Sequence, residues 1–308
     1  MSKIPEIRRN SLQAWLLATR PKTLAGAAVP VMAGCAMAWA DMQPEAAGDF
    51  SWTAAVLCLL FAFVMQIDAN LINDFFDYAK GTDDTATRLG PRRACAQGWV
   101  SLRAMRHAIA LTTCLACAVG LPLVLYGGME MVLVGMVCVV FCFLYTTHLS
   151  YRGLGDALVL VFFGVVPVCI TYYIQLHRVS FSCLTASLAC GLVIDALLIV
   201  NNYRDRFTDA ACGKRTLVVR LGEPAGRMLY LLTGVGACLL GLVFGLQGRW
   251  MSFLLPLVYL ALHFSTYLHL LRVRRGKALN ICLGETARNI FIYGLCLSAG
   301  IVADALMG

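Results

Sequence analysis

The chain alternates between long apolar stretches and short polar or charged ones along its whole length. Each apolar stretch is close to the roughly 20 residues that an α-helix needs to cross the hydrocarbon core of a bilayer. We therefore predict an all-α polytopic membrane protein with nine transmembrane helices. The predicted helices cover residues 24–40, 52–72, 104–126, 130–147, 156–175, 181–200, 228–247, 250–271 and 289–306.

Composition agrees with a membrane protein. Of the 308 residues, 60% are hydrophobic and 14% are charged, whereas a soluble domain has about 25% charged residues. We find no soluble domain or linker, so residues 1–308 are predicted to form a single domain. Each half contains an apolar helix that ends in Asn and Asp and is followed by a basic loop, which suggests an internal duplication of roughly 15–150 and 151–308.

The lysines and arginines predict the orientation in the membrane. If the N-terminus is cytoplasmic, nine helices leave all but Arg178 and Arg249 of the 25 basic residues on the cytoplasmic side. This asymmetry follows the positive-inside rule, so we predict an N-in/C-out topology. The net charge of +8 is then explained by topology and by attraction to anionic lipid, and not by nucleic-acid binding.

Two acidic clusters follow apolar stretches. At 100° per residue, Asn70, Asp74 and Asp77 fall within about 60° of one another on a helix, so we expect them to converge on one point. The first cluster is Asn70, Asn73, Asp74, Asp77 and Asp83, and the second cluster is Asn201, Asp205 and Asp209. Because carboxylates do not set membrane orientation, their gathering at one predicted face indicates a functional site.

Oxygen ligands of this kind suit Mg²⁺, which completes its coordination shell with substrate phosphates. Two facing clusters could hold two or three such ions, bridged by a diphosphate that becomes a leaving group. Basic side chains that could supply further phosphate contacts are Lys22, Lys80, Arg88, Arg92, Arg204 and Lys214. Since the apolar bundle could accept a lipid tail, we predict a polyprenyl diphosphate that ionises to an allylic carbocation.

Three further residues have more than one interpretation. Tyr145 and Tyr151 could be ordinary interfacial aromatics, or their π-faces could shield a carbocation. Asp195 lies inside the sixth predicted helix, where a charge costs about 2.5–3.5 kcal/mol. It could support the second cluster, pair with a basic residue or be neutral.

At these residues the sequence resembles the UbiA-type intramembrane prenyltransferases, and within them the 1,4-dihydroxy-2-naphthoate polyprenyltransferases of menaquinone synthesis. The first cluster matches the family motif N-D-x-x-D at Asn73, Asp74 and Asp77. The other matching segments are Arg20-Pro-Lys22-Thr-Leu, Arg88-Leu-Gly-Pro91, Tyr151-Arg-Gly-Leu-Gly-Asp156, Asn201 through Gly222, and Leu279-Asn280 with Thr286-Ala287. The chain departs from the branch at Thr146–Ser150, where relatives often have Gly and Pro.

The resemblance implies a bundle of nine transmembrane helices around a central cavity, which opens sideways to lipid and is capped on the cytoplasmic side of a bacterial inner membrane. It implies Mg²⁺ ions held by the aspartates of both clusters, with Asn70, Asn73 and Asn201 ligating or orienting. Lys22, Arg88 and Lys214 are expected to neutralise the leaving phosphates. The acceptor 1,4-dihydroxy-2-naphthoate is expected to attack through the carbon bearing its carboxylate and lose CO₂, which gives demethylmenaquinone in its reduced, quinol form.

Other functions stay open on the sequence alone. A prenyltransferase of this type could use another acceptor, such as 4-hydroxybenzoate, homogentisate, haem or a chlorophyllide. A transporter would also place carboxylates in its membrane helices, but near the bilayer midplane and not at one face. A purely structural membrane subunit leaves both acidic clusters unexplained.

Overall fold

The computed structural model describes residues 7–42, 49–81 and 88–307. Asp83, predicted as a metal ligand, lies outside these ranges. The helices are α1 (Leu12–Thr19), α2 (Leu24–Ala40), α3 (Trp52–Ala79), α4 (Leu102–Gly120), α5 (Val124–Gly127), α6 (Glu130–Leu144), α7 (Gly155–Val159), α8 (Val166–Leu176), α9 (Phe181–Ala211), α10 (Leu217–Leu221), α11 (Glu223–Leu246), α12 (Trp250–Leu254), α13 (Leu257–Val273) and α14 (Leu279–Met307).

Nine segments of the described chain are long and apolar enough to cross a membrane, as the sequence predicted. They are Leu12–Ala40, Trp52–Ala79, Leu102–Gly127, Glu130–Arg152, Gly155–Leu176, Phe181–Ala211, Glu223–Leu246, Trp250–Val273 and Leu279–Met307. The described part of the chain forms no strand. The all-α class and the nine spans are therefore confirmed.

The two helices that carry the acidic clusters extend beyond their predicted ends. Hydropathy falls at the first Asn and Asp side chains, but α3 continues to Ala79 and α9 to Ala211. Both helices begin with a serine cap, since the side chains of Ser51 and Ser180 accept hydrogen bonds from backbone N–H groups three residues later. Both clusters are thus placed on regular helix.

Two membrane segments are interrupted near the polar end of the bundle. Arg20 has a left-handed backbone conformation and precedes Pro21, which has no backbone N–H, so α1 and α2 are separated there. A π-helical turn at Tyr145–Leu149 follows α6. Such turns re-aim side chains and often occur at functional sites. Both breaks bring side chains into the cavity described below.

Helix α9 is the central helix of the bundle and packs against α2, α8, α11 and α14. Its approach to the π-helical turn at Leu160–Val165 depends on Gly164 and Gly191. A Cβ at Gly164 would lie only 2.5 Å from the carbonyl oxygen of Ser187. Because α9 is held this closely on several sides, the second cluster has a fixed position in the middle of the molecule.

The end of the bundle opposite the acidic clusters is closed by polar contacts to Asp41. Its carboxylate lies 2.7 Å from Arg249 and accepts a 2.8 Å hydrogen bond from the hydroxyl of Tyr172. Arg178 donates to the backbone oxygen of Asp41 at 3.4 Å. The two basic residues that the topology prediction assigned to the outer side therefore meet at one end of the fold.

Candidate active site

One large cavity, about 1240 Å³ in volume, collects most of the predicted site residues. Its polar wall includes Lys22, Asn70, Asn73, Asp77, Arg88, Arg92, Tyr145, Asn201, Arg204, Asp205, Asp209 and Lys214. Its remaining wall is mostly apolar, with side chains such as Phe61, Met65, Met131 and Phe162. Carboxylates from α3 and α9 therefore face the same space, beside a long apolar chamber.

Four polar residues of α3 line the cavity: Gln66, Asn70, Asn73 and Asp77. With 3.6 residues per turn, they lie within an arc of about 60°. Asp74 lies about 40° beyond the edge of this arc, and it does not line the cavity. The expectation that Asn70, Asp74 and Asp77 converge on one point is therefore wrong for Asp74.

Asp74 is fully buried and contacts the backbone of the loop that precedes α4. Its two carboxylate oxygens accept hydrogen bonds from the N–H groups of Ala94 and Cys95, both at 2.9 Å. Arg20 lies 3.9 Å away. Because both oxygens are already bonded, Asp74 holds this loop against α3.

The two asparagines of α3 tie the surrounding segments to the cavity. The Asn70 amide donates to the backbone oxygen of Thr19 at 3.0 Å and to the Thr23 hydroxyl at 2.9 Å. These bonds fix the break between α1 and α2, and hence the position of Lys22. The side-chain oxygen of Asn73 accepts a hydrogen bond from the hydroxyl of Thr146.

In the second cluster, Asp205 is paired with its buried neighbour Arg204. The guanidinium group donates to both carboxylate oxygens, at 2.8 and 2.5 Å, and also to Asn280 at 2.9 Å. Asn280 in turn donates to the backbone oxygen of Leu89 at 2.9 Å. A Cβ at Gly90 would lie 2.5 Å from Arg204. The Arg-x-Gly-Pro element therefore packs directly on the second cluster.

The remaining carboxylates of the cavity also face basic groups. Asp209 lies 3.7 Å from Lys214, and Asp77 lies 3.9 Å from Arg93. The Oδ2 atom of Asp209 is buried without a hydrogen-bond partner among the described residues. An unpaired buried carboxylate oxygen, set among further carboxylate and amide oxygens, fits a hard divalent cation such as Mg²⁺.

Among the described residues, one group of histidine, cysteine and carboxylate side chains is close enough to share a single metal ion, and it lies outside the cavity. Atoms of His269, Cys282 and Glu285 lie within 4.8 Å of one another. The Nδ1 atom of His269 lies 3.0 Å from a carboxylate oxygen of Glu285, and none of the three lines the cavity. The carboxylates in the cavity are spaced more widely, which suits ions that take one or two protein ligands and complete their shells with phosphate oxygens.

Most of the predicted phosphate-binding residues line the cavity, but Lys80 does not. Its ammonium group donates to the backbone oxygens of Thr147 and Thr146, at 2.5 and 3.3 Å, and lies 4.0 Å from the centre of the Tyr151 ring.

Burial lowers the pKa of Arg88 to about 10, while the negative charge of Asp205 opposes this shift. Arg88 is therefore still a cation at neutral pH.

The two tyrosines occupy different positions. Tyr145 lines the cavity. Tyr151 does not, and the centre of its ring lies 4.0 Å from the ammonium group of Lys80 and 5.9 Å from that of Lys214. Of the two, only Tyr145 is placed to face a substrate in the cavity.

Several cavity residues were not predicted as site residues: Arg20, Arg93, Asn202 and Asn280. Arg20 and Asn280 lie within segments that match the family, so a signal for them existed in the sequence. Arg93 reaches Asp77 only because Asp74 anchors its loop, and no local pattern predicts this contact.

The fold and the site together define a polytopic membrane protein whose acidic and basic side chains meet at one end of a lipid-sized cavity. A model of the UbiA prenyltransferase family matches residues 24–295, and the chain belongs to this family. It is 38% identical to the 1,4-dihydroxy-2-naphthoate octaprenyltransferase of Escherichia coli, over 77% of this chain and 79% of that protein. It is 33% identical to the enzyme of the same name from Mycobacterium tuberculosis, over 96% and 99% of the two chains.

Solved structures show the same fold at low sequence identity. A UbiA homologue from Aeropyrum pernix matches with a TM-score of 0.68 at 14% identity, over 92% of this chain and 97% of that one. A UbiA homologue from Archaeoglobus fulgidus, bound to DMAPP and Mg²⁺, matches with a TM-score of 0.60 at 16% identity, over 92% and 99%. These structures confirm the fold, while the family model and the two relatives confirm the family resemblance seen in the sequence.

Proposed function

We propose that this protein is a 1,4-dihydroxy-2-naphthoate polyprenyltransferase of menaquinone synthesis. The observation that carries the proposal is the meeting of Asp77, Asp205 and Asp209 with basic side chains in one cavity that continues as an apolar chamber. The relatives with the highest identity quoted above carry this activity in their names. The class of enzyme is an aromatic prenyltransferase that uses a divalent metal.

Asp77, Asp205 and Asp209 would hold two or three Mg²⁺ ions, with oxygens of Asn70, Asn73 and Asn201 nearby. When bound, these ions supply charge neutralisation for the diphosphate leaving group. Asp83, in the same motif, is proposed as a further ligand. Asp74 is proposed to act by holding the loop that carries Arg88 and Arg92.

Basic residues of this chain bind and orient the diphosphate. Lys22, Arg88, Arg92, Arg204 and Lys214 line the cavity, and a guanidinium group binds two phosphate oxygens at once. Arg204 and Lys214 are engaged with Asp205 and Asp209 in this structure. Metal bound to those aspartates would free both cations to stabilise the negative charge that develops as the C–O bond breaks.

The acceptor ring then attacks the allylic carbon of the prenyl group. The new C–C bond forms at the ring carbon that bears the carboxylate, and loss of CO₂ restores aromaticity without a strong general base. Tyr145 lies on the cavity wall with its π-face available to stabilise the cation. The apolar side chains of the chamber exclude water, which would otherwise capture the cation.

Orientation and location belong to the same proposal. The distribution of lysine and arginine supports an N-in/C-out topology, with the polar end of the cavity on the cytoplasmic side of a bacterial inner membrane. An internal duplication of roughly 15–150 and 151–308 remains a hypothesis, supported by the placement of one acidic cluster on α3 and the other on α9.

An acceptor panel tests the proposed function. Purified protein in detergent is given Mg²⁺, farnesyl or geranylgeranyl diphosphate, and one of 1,4-dihydroxy-2-naphthoate, 4-hydroxybenzoate or homogentisate. Mass spectrometry should find a prenylated product that lacks one CO₂ with the naphthoate. Prenylation of a different acceptor in its place would contradict the proposed acceptor and leave the family assignment intact.

A further inference from the structure

A second, much smaller pocket adjoins the cavity. Its volume is about 10 Å³, which is room for one water-sized atom. It is lined by Tyr145, Ser150, Gly153, Gly155, Asp156, Leu198, Asn202, Lys214 and Thr216. Five of these, Tyr145, Ser150, Leu198, Asn202 and Lys214, also line the large cavity. The two spaces therefore adjoin each other, and a ligand at this wall of the cavity lies beside the pocket.

Asp156 supplies the charge of this pocket. It is 6% exposed, and neither of its carboxylate oxygens has a hydrogen-bond partner among the residues that the structure describes. A Cβ at the preceding Gly155 would lie 3.8 Å from the Tyr145 hydroxyl oxygen, so the tyrosine side chain packs beside this carboxylate. A buried carboxylate without a donor is unfavourable, and the position of Asp156 therefore needs an explanation.

Two other buried carboxylates, those of Asp68 and Asp74, are satisfied by the protein itself. Asp68 accepts hydrogen bonds from Thr112 at 2.5 Å and from Thr113 at 2.8 Å. Asp74 accepts two from backbone N–H groups. In contrast, Asp156 lines the small pocket, and both of its carboxylate oxygens are buried without a hydrogen-bond partner among the described residues. This difference indicates that its hydrogen-bond donor is a ligand.

Asp195 makes the same side of the cavity more acidic. It is 5% exposed, and its Oδ1 has no partner in the described part of the chain. It precedes Leu198 by three residues and Asn202 by seven, so it lies on the side of α9 that borders the pocket. Lys214 also lines the pocket, but its ammonium group lies 3.7 Å from Asp209. Asp156 therefore still lacks a donor, and a hydroxyl group of a ligand suits it.

The ligand follows from the proposed function, on which this inference rests. The acceptor has two hydroxyl groups and one carboxylate. The hydroxyl at carbon 1 is next to the carboxylate and can donate to it within the molecule. The hydroxyl at carbon 4, across the ring, has no such internal partner.

We propose that Asp156 binds the acceptor by accepting a hydrogen bond from its 4-hydroxyl group, next to Tyr145. No bond at this hydroxyl is made or broken in the reaction. The contact instead orients the ring, so that the carbon bearing the carboxylate faces the allylic end of the prenyl group. Asp156 thereby determines specificity for a dihydroxy acceptor over a monohydroxy one.

The test compares two acceptors in two variants. The value of kcat/KM is measured for 1,4-dihydroxy-2-naphthoate and for 1-hydroxy-2-naphthoate, or an inhibition constant is measured if the latter is not turned over. In Asp156→Ala the preference for the dihydroxy acceptor should fall about 10- to 100-fold, because only that acceptor loses a hydrogen bond to a charged group. Asp68→Ala, which removes a buried carboxylate away from the cavity, should keep the wild-type preference.

A role in folding alone would change both acceptors equally, and an unchanged preference in active Asp156→Ala would overturn the inference. If that variant does not fold, Asp156→Asn keeps the size and one acceptor oxygen and should show a smaller loss of preference. A 4-methoxy analogue, which cannot donate, should also bind the wild type at least about 10-fold more weakly; equal binding would contradict the proposal. Failure of the wild type to prenylate 1,4-dihydroxy-2-naphthoate would instead overturn the proposed function, and this inference with it.

Discussion

At the scale of single residues, the role of each aspartate depends on what its oxygens contact. Asp74 and Asp77 are three residues apart on α3, yet Asp74 bonds two backbone N–H groups while Asp77 lines the cavity. In the sequence, both residues are aspartates of the same motif, so residue type and spacing do not distinguish their roles. The environment, and not the motif, separates a carboxylate that anchors a loop from one that faces the cavity.

We expect Asp77→Asn and Asp209→Asn to lower Mg²⁺-dependent turnover by at least about 100-fold, because each removes a charged ligand of the diphosphate-bound metal. Turnover and the binding of Mn²⁺ in the presence of inorganic pyrophosphate should fall together. Thermal unfolding in detergent should change little, since both side chains face the cavity. Full activity in either variant would contradict the metal assignment.

Asp74→Asn should behave differently. The amide group of the new side chain would face a backbone N–H, which leaves a buried donor unpaired and costs about 1–3 kcal/mol. We expect a lower unfolding temperature and faster proteolysis between residues 88 and 100, with a raised KM for the prenyl diphosphate. A variant of normal stability and normal loop protection, but without metal binding, would show that Asp74 is itself a ligand.

At the scale of elements, the site forms where the loop before α4 meets α9. Gly90 allows Arg204 to approach the loop, and Asn280 links Arg204 to the backbone of Leu89. Three segments that are far apart in sequence therefore close one end of the cavity. This contact explains why the short Arg-x-Gly-Pro element accompanies the second acidic cluster.

Gly90→Ala tests this contact. Its Cβ would lie 2.5 Å from Arg204, so the guanidinium group has to move away from Asp205 at a cost of about 1–3 kcal/mol. We expect lower stability together with at least about a 10-fold loss of activity. Gly241→Ala is the matched control, since its Cβ would meet Phe253 at an ordinary 3.5 Å. Equal effects of the two substitutions would argue against the proposed role of Gly90.

Sequence patterns predicted the elements better than the contacts between them. Hydropathy located all nine spans, because a bilayer requires about 20 apolar residues per helix. It ended α3 and α9 too early, because polar side chains that face a cavity do not end a helix. The loop anchored by Asp74 and the pairing of Arg93 with Asp77 were not predictable, since they depend on how distant segments pack.

At the scale of the whole molecule, the two ends of the bundle are chemically different. The cavity end carries both acidic clusters and many basic residues, whereas the other end is closed by Asp41 with Arg178 and Arg249. This division is what the positive-inside rule requires of a protein with a cytoplasmic active site.

The topology can be tested by fusions. With nine spans and a cytoplasmic N-terminus, alkaline phosphatase joined to the end of α14 should be active in a bacterial host, and a green fluorescent protein fusion at the same position should be dark. When the same two proteins are inserted in the loop between α13 and α14, alkaline phosphatase should be inactive and green fluorescent protein should fluoresce. A fluorescent fusion after α14 would contradict the N-in/C-out topology.

The most direct test of the central claim follows the acceptor carboxylate. The purified protein is given Mg²⁺, a prenyl diphosphate and 1,4-dihydroxy-2-naphthoate labelled with ¹³C in the carboxylate, and released ¹³CO₂, inorganic diphosphate and prenylated product are counted together. We expect the three to appear in equal amounts, to stop with EDTA and to resume with added Mg²⁺. Release of diphosphate with no ¹³CO₂, or a prenylated product that keeps the label, would contradict the account.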